Sequence, residues 1–584
     1  MATSMVNAES LLAIDVGTVN TRAFLFDVTE GAYRFISSGV AATTLEGTVN
    51  GIGEGVHLAI EKLQEVTGRV FISSDGHLIV PSQPDGTGVD KVVATLSSGA
   101  AVQVVLVGLL PDVSLDSAQR LVATTYSRVA EVISLNDRRK MEAQIDAVIR
   151  AQPDVVVLAG GTESGASRSV EKLIEVVGLA CYALPADKRP VVIYSGNKAL
   201  ADEARSKLEP LTRVLISPNI RPSFSEENIN PAQDQLLEAV SQIRLRQLAG
   251  LGDLSALVTG QVMPTATSFG RIIRFLSQAY EPGKGVLGVD LGGYSTTVAA
   301  GFGGNLSLVV SPNLGMGDGL PGVLASITAE ETARWMPIQV PADYITEYLY
   351  NKQAHPASIP AAVEDLAIEQ AVTRLVLRQA LKLATQRHPG IAFNPASGLG
   401  VQYEPILAAG MSISQTPTPG QVMLMLLDAL QPVGVTTLVL DQNNLTAAIG
   451  AAALINTLLP VQVLESPAFL NLGTVVSPIS GGRAGAMILR ARLFASDGSE
   501  TQFEIKQGTL TVLPLPHGQK ARLQLDPSHD TDLGLNRPGR SLKLNVVGGM
   551  LGIVIDARGR PLDLPDDLVK RRDLFKKWLW TLGG

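Results

Sequence analysis

Two apolar runs, 275 residues apart, end in the same way. Leu11-Leu12-Ala13-Ile14-Asp15-Val16-Gly17-Thr18-Val19-Asn20-Thr21 and Val286-Leu287-Gly288-Val289-Asp290-Leu291-Gly292-Gly293-Tyr294-Ser295-Thr296 each close on Asp-x-Gly, with a Thr six residues after the Asp. The runs are short, continuous and rich in β-formers, so each predicts a buried strand. Gly permits the tight turn that follows, and return strands are expected at 21–28 and 296–301. From about 95 to 245 the pattern becomes alternating buried strands and helices. Strands are predicted at Val102–Gly108, Val155–Gly160, Val191–Tyr194 and Val214–Ser217, with a helix over Ser114–Val132 capped by Ser114. That alternation predicts a parallel sheet with crossover helices. Further helices are expected over 56–66, 264–278 and 364–387, the last a charged, solvated packing helix. After about 465 the period drops to two, with strands predicted at 486–493, 502–505, 509–512, 520–525, 542–547 and 551–556, which reads as a small all-β sandwich or barrel.

These changes of period divide the chain into 1–95, 96–245, 246–462, 463–562 and a tail, 563–584. Gly47–Gly55 is Gly-rich and precedes the helix expected over 56–66, and Ser82–Gly88 reads as a turn or linker. In the tail, Lys570, Arg571, Arg572, Lys576 and Lys577 accompany Leu574, Phe575, Trp578, Leu579 and Trp580. Such a segment suits an acidic membrane or a partner groove, and equally a terminal helix docked on its own β domain.

The paired turns carry the candidate chemistry. Backbone N–H groups at Gly17-Thr18 and Gly292-Gly293 can donate to phosphate oxygens, and Gly allows close approach. Asp15 and Asp290 offer hard oxygens suited to Mg²⁺. Thr18 and Thr21 add hydroxyls, for phosphate or for the turn itself. One such hairpin is an ordinary turn; two at equivalent points suggest a duplicated fold holding phosphate between them. A weaker candidate is Gly160-Gly161-Thr162-Glu163-Ser164-Gly165, at the carboxyl end of a predicted parallel strand. It could touch a phosphate or a partner, or could simply start a helix capped by Thr162 or Ser164.

Composition narrows the function class. The 584 residues are 46% hydrophobic with mean hydropathy +0.22, enough for ample core. A net charge of −8 argues against nucleic acid as a main partner. A lone cysteine, Cys181, excludes an internal disulfide and a thiolate zinc site. The six His residues show no metal-ligand spacing. Met1–Ser10 lacks the features of a secretory leader, and Ala101–Leu110 is too short to span a bilayer. A soluble, cytoplasmic protein is expected.

The twin Asp-x-Gly motifs resemble phosphate-1 and phosphate-2 of the actin, sugar kinase and Hsp70 ATPase superfamily. Pro405–Ser412 resembles its adenosine motif, with Met411 where a second Gly is usual. Leu445–Ala453 resembles the connect-2 helix, and Pro264–Gln278 the connect-1 segment. Asn313–Leu320 resembles a Gly-rich turn of many relatives. Within the superfamily, Ala13–Ala23, Val157–Gly165 and Gly288–Gly293 resemble the MutL proteins of the glutamate mutase operon, which are unrelated to mismatch repair.

The resemblance covers about 11–460. It implies an α/β fold of two actin-like (ribonuclease H-like) lobes around a nucleotide cleft, here with an α/β insertion and a C-terminal all-β domain. It also implies ATP and Mg²⁺ as cofactors. Contacts would come from Gly17, Thr18, Asn20 and Thr21, from Gly292, Gly293, Tyr294 and Ser295, and from Ala409, Gly410 and Met411. Asp15 and Asp290 would be metal-binding and catalytic. Relatives often place Glu or Gln near the connect-1 helix to orient water; here Met263 precedes Pro264, so Gln261 is the candidate and slow hydrolysis is expected. The implied role is a chaperone or reactivating factor for a cobalamin-dependent mutase, with a protein partner or self-assembly. No cobalamin motif is visible. An actin-like filament is the main alternative; a small-molecule kinase would need an acceptor base, for which only Asp318 and Asp441 offer themselves.

Overall fold

The computed structural model describes residues 9–44, 51–163, 165–281 and 283–583. The leader reading of residues 1–8, the Gly-rich stretch 47–50 and the cap expected of Ser164 lie outside them. Contacts divide the described chain into two compact units. One holds 9–42, 58–95 and 268–583; the other holds 43–44, 51–57 and 96–267.

In the first unit, Leu11–Val16 is buried along its whole length, as its unbroken apolar run requires. It pairs antiparallel with Asn20–Thr29, which pairs with Ala32–Ala42, while Lys91–Leu96 lies on its other side. The second copy repeats the arrangement: Gly285–Leu291 pairs with Ser295–Phe302, and that with Asn305–Pro312. Here the sheet continues through Tyr403–Ala409 and Gly434–Leu440, both parallel to Gly285–Leu291, and then antiparallel Leu470–Ser477.

The β-rich stretch after 465 divides between two sheets. Leu470–Ser477, Ile553–Ala557 and Thr509–Leu513 complete the eight-stranded sheet of the second copy. Glu500–Lys506, Met487–Ala495, Lys520–Pro527 and Leu542–Val547 form a separate four-stranded sheet. The two share one core, in which Ala491, Leu523 and Leu525 meet Val476, Ile553 and Ile555. Burial explains the division. Ile553–Ala557 is covered on both faces, whereas Met487–Ala495 and Lys520–Pro527 alternate between buried and exposed positions.

Helices Thr265–Ala279 and Thr446–Ala452 stand where the connect segments were expected. They meet at Gly450, where a β-carbon would lie 2.0 Å from Ser268 O, and Arg271 Nη1 donates to Gly450 O at 2.9 Å. Helix Val363–Arg387 departs from the solvated helix expected. Asp365, Glu369, Gln370 and Arg374 are buried along it. Arg374 Nε donates to Asp428 Oδ2 (2.8 Å) on helix Pro419–Leu430, and Arg558 Nη1 to Asp428 Oδ1 (2.8 Å). Arg558 and Arg560 both also grip Asp556 at 2.8 Å. Burial alone would raise the Asp556 pKa, but the two guanidinium groups hold it well below the usual carboxylate range.

The basic aromatic tail forms helix Leu568–Thr581 and docks on its own unit. Phe575 packs edge-on against Trp335 and Trp578 at 6.3 and 5.3 Å, and the Arg558 guanidinium lies 4.6 Å over Trp578. Gly420 lets the Pro419–Leu430 helix approach the chain at Leu582, since a β-carbon there would sit 2.3 Å from Leu582 O. The docking surface therefore includes helix Pro419–Leu430, beyond the β-rich region. Trp580 stays 82% exposed on the outer face beside Lys576 and Lys577.

The second unit is a five-stranded parallel sheet ordered Ser127–Ser134, Val102–Gly108, Val155–Ala159, Val191–Tyr194, Val214–Ile216. Separate apolar cores cover its two faces, as a parallel sheet requires. The helix expected over 114–132 ends at Val122, and Ser127–Ser134 is a strand. The β-branched residues Val129, Val132 and Ile133 favour the strand. Ser114 caps no helix; its Oγ accepts from Leu109 N and Leu110 N at 3.2 Å. Among the described residues no helix is long and apolar enough to cross a membrane.

Candidate nucleotide site

The two hairpins turn in the same way. Gly17 N donates to Asn20 O at 3.0 Å, and Gly292 N donates to Ser295 O at 2.9 Å. A β-carbon at Gly17 would lie 2.8 Å from Asn20 O, which is why this position must be bare. Asp15 stands opposite Arg22 in the first hairpin, and Asp290 opposite Thr297 in the second. The Thr six residues after each Asp is fully buried. Thr296 Oγ1 donates to Leu314 O at 2.6 Å, so its hydroxyl serves the hairpin. Thr21, expected among the phosphate contacts, occupies the equivalent buried position.

The turns meet. A β-carbon at Gly293 would fall 3.0 Å from Thr18 Oγ1 and 2.6 Å from Val19 Cγ2. The Asn313–Leu320 segment folds over the second turn: Met316 N donates to Gly292 O at 3.0 Å, and Gly317 N and Gly319 N donate to Gly293 O at 2.8 and 3.0 Å. Tyr294 is half-buried and Ser295 is buried beside them.

Three carboxylates and one cation define the electrostatics. Asp15 is buried, accepts from Thr95 Oγ1 at 2.6 Å, and pairs with Arg22 Nη1 at 3.4 Å. Asp290 is pushed up to about 7, first by desolvation and then by the charge of Asp15; Arg22 opposes the rise and Asp441 adds to it. Asp441 is fully buried and accepts from Leu445 N (2.8 Å), Thr446 N (2.7 Å) and Thr446 Oγ1 (2.6 Å), so it holds the start of helix Thr446–Ala452. Desolvation raises its pKa as well.

The folded protein thus keeps a proton on Asp290 between about pH 4 and 7, where an unfolded Asp has lost it. The folded state binds more protons there, so stability falls as pH rises through that window. In the absence of divalent cations, thermal melts from pH 4.5 to 8 should show wild type losing stability relative to Asp290→Asn, by about 2–3 kcal/mol at most. Parallel curves would remove the like-charge pairing from the description.

The adenosine-like turn sits on the neighbouring strand, where Ala409 pairs with Asp290. Gly410 has φ +109°, and a β-carbon there would lie 2.2 Å from Leu291 O. Its N–H donates to Asn444 Oδ1 at 2.7 Å, and Asn444 Nδ2 donates to Ser414 Oγ at 3.1 Å. Met411, half-buried, opens the short helix Met411–Ser414. Gln261 is an exposed residue of the second unit, and its amide is turned to Met263 Sδ at 3.4 Å. Sequence reading missed Arg22, Thr95 and Asn444. The Arg22 signal was present: a hairpin closing over residues 17–20 places residue 22 directly across from Asp15.

Among the described residues no group of three or more His, Cys, Asp or Glu side chains forms a metal cluster. Two facing carboxylates with adjacent turn amides are still a donor set that fits Mg²⁺, which commonly takes one or two carboxylates plus phosphate oxygens and waters.

Fold and site define a protein with duplicated Asp-x-Gly hairpins whose turns face each other beside an Asn-braced glycine turn. A model of the MutL protein family matches residues 11–467, and the chain belongs to that family. Protein MutL from Clostridium tetanomorphum is 21% identical over 454 residues, 71% of this chain and 88% of that protein. Among solved structures, the nucleotide-free acetone carboxylase aligns over 86% of this chain and 82% of its own, at 12% identity and a TM-score of 0.32. Glycerol dehydratase reactivase aligns over 76% of this chain and 100% of its own, at 10% identity and a TM-score of 0.29.

Proposed function

We propose that this MutL-family protein is an Mg-ATP-dependent switch. The observation that carries this reading is that Asp15 and Asp290, from the two copies of the hairpin, converge with Arg22 beside turns that meet at Thr18 and Gly293. Amides of the turns would donate to the β- and γ-phosphate oxygens. Asp15 and Asp290 would hold Mg²⁺, which when bound would neutralise phosphate charge. Thr95 orients Asp15 toward this task, and Arg22, now paired with Asp15, would be released to the phosphates. The Gly410 turn would receive the nucleoside. Met263, where relatives often carry a water-orienting side chain, supports slow turnover and a protein that reports its nucleotide state by changing shape. The family resemblance supports a partner role, reactivating a cobalamin-dependent mutase.

Titration calorimetry tests the binding step. ATP with Mg²⁺ should bind at least about tenfold more tightly than ATP with EDTA, and Mg-ATP and Mg-ADP should give different protease digestion patterns. Absence of binding under both conditions would overturn the reading.

A further inference from the structure

The Gly160-Gly161-Thr162 turn has no part in the nucleotide site, yet it is built in an unusual way. It leaves Val155–Ala159, at the point where strand order reverses between Val102–Gly108 and Val155–Ala159. Loops leaving the two strands at such a reversal diverge to opposite faces, and doubly wound sheets take ligands in the crevice this opens. The turn itself is bare backbone of fixed shape. Gly160 has φ +152° and Gly161 φ +74°, and their β-carbons would lie 2.9 Å from Leu109 Cγ and 3.1 Å from Asn197 Cβ. Helix Ser167–Ala183, 17 residues long, starts after it with Ala166 at the N-cap and no side chain capping it. Thr162, expected as a cap, instead uses its carbonyl to accept from Gly165 N at 2.8 Å. An uncapped helix start says little alone.

The second observation is a buried side chain against this turn. Asn197 follows the neighbouring strand, is 1% exposed, and has the β-carbon nearest to one built on Gly161. Asn197 N donates to Gly160 O at 3.0 Å, and Asn197 Oδ1 accepts from Ala199 N at 2.9 Å. That leaves Asn197 Nδ2 without a partner. A buried unpaired polar group costs about 1–3 kcal/mol, a cost that an acceptor bound beside the glycine turn would remove. Asn219 Nδ2 donates to Gly161 O (2.8 Å) and to Glu163 Oε1 (2.9 Å), and Lys198 N donates to Glu163 Oε1 (3.4 Å). These bonds hold the turn in shape from outside and engage the one carboxylate on it.

We propose that the Gly160-Gly161-Thr162 turn, with Asn197, is an oxyanion site for a phosphate or carboxylate group of a small ligand. Turn and helix-start amides and Asn197 Nδ2 would be the donors. The site does not depend on the nucleotide reading.

The test uses the full chain, with inorganic phosphate and citrate as probes in calorimetric titrations. Wild type should bind at least one of them. Asn197→Asp, which replaces the donor by an anion of equal size, should weaken that binding at least about tenfold, and Asn197→Ala, which removes the donor, about threefold. ATP binding should be unchanged in both variants. Tighter phosphate would mark a phosphate ester as the ligand; tighter citrate would mark a carboxylate. Equal affinity in wild type and Asn197→Ala overturns the proposal even if Asn197→Asp fails to fold. So does the absence of binding by wild type up to about 10 mM of either probe.

Discussion

Asp15→Asn and Asp290→Asn should each lower steady-state ATP turnover by about 100-fold or more while leaving the fold intact. Both residues end strands whose other side chains form the core, and neither carboxylate contributes to that core. Removing either charge leaves the hairpins standing and would take away one of the two carboxylates proposed to hold Mg²⁺. Asp290→Asn should also relieve repulsion from Asp15, so the variant should be at least as stable as wild type near pH 8. Loss of turnover together with retained or increased stability is a signature that a folding defect cannot produce. Asp318→Asn is the control: Asp318 is exposed, and turnover should stay within about twofold of wild type. Steady-state phosphate release measures all three. Turnover unchanged in either hairpin variant would remove that Asp from the site.

Arg558→Ala should destabilise the larger unit by about 3–5 kcal/mol, the cost typical of removing one partner from a buried ion pair. Arg558 is fully buried, bridges Asp428 and Asp556, and covers the Trp578 ring. Its loss leaves Asp428 with Arg374 alone and Asp556 with Arg560 alone, and uncovers the face on which the terminal helix docks. Arg492→Ala offers the comparison, because its pair with Asp526 is partly exposed and should cost at most about 1 kcal/mol. All three tryptophans, Trp335, Trp578 and Trp580, lie in the larger unit, so tryptophan fluorescence during urea unfolding follows it alone. Equal midpoints for the two variants would mean that the buried network does not hold the terminal helix.

The hairpins were legible in the sequence because each is a continuous segment. Asp, Gly and Thr at fixed spacing specify strand end, turn and return strand without reference to any distant residue. Four of the five parallel strands of the second unit were legible for the same reason; Ser127–Ser134 was not. What could not be read was pairing across distance. Nothing in Ile553–Ala557 shows that it lies beside Leu470–Ser477 in a sheet begun at Gly285. Asp556 read only as the end of a strand, and Glu369 and Arg374 as part of a solvated helix, because burial of charge depends on partners far along the chain. The helix expected over 114–132 ran too long because its apolar residues fit both periods. Asp441 stood out as an acid at a strand end; its bonds to Leu445 and Thr446 give it a capping role that sequence left open.

The central reading is that the two Asp-x-Gly hairpins grip one Mg-nucleotide. A crystal structure of the full chain with Mg²⁺ and a non-hydrolysable ATP analogue tests it most directly. The expected result is β- and γ-phosphates held by the turns at Gly17-Thr18 and Gly292-Gly293, with the metal at Asp15 and Asp290 and Arg22 turned from Asp15 to phosphate. Nucleotide bound elsewhere, with both turns free of phosphate and Arg22 still on Asp15, would contradict it.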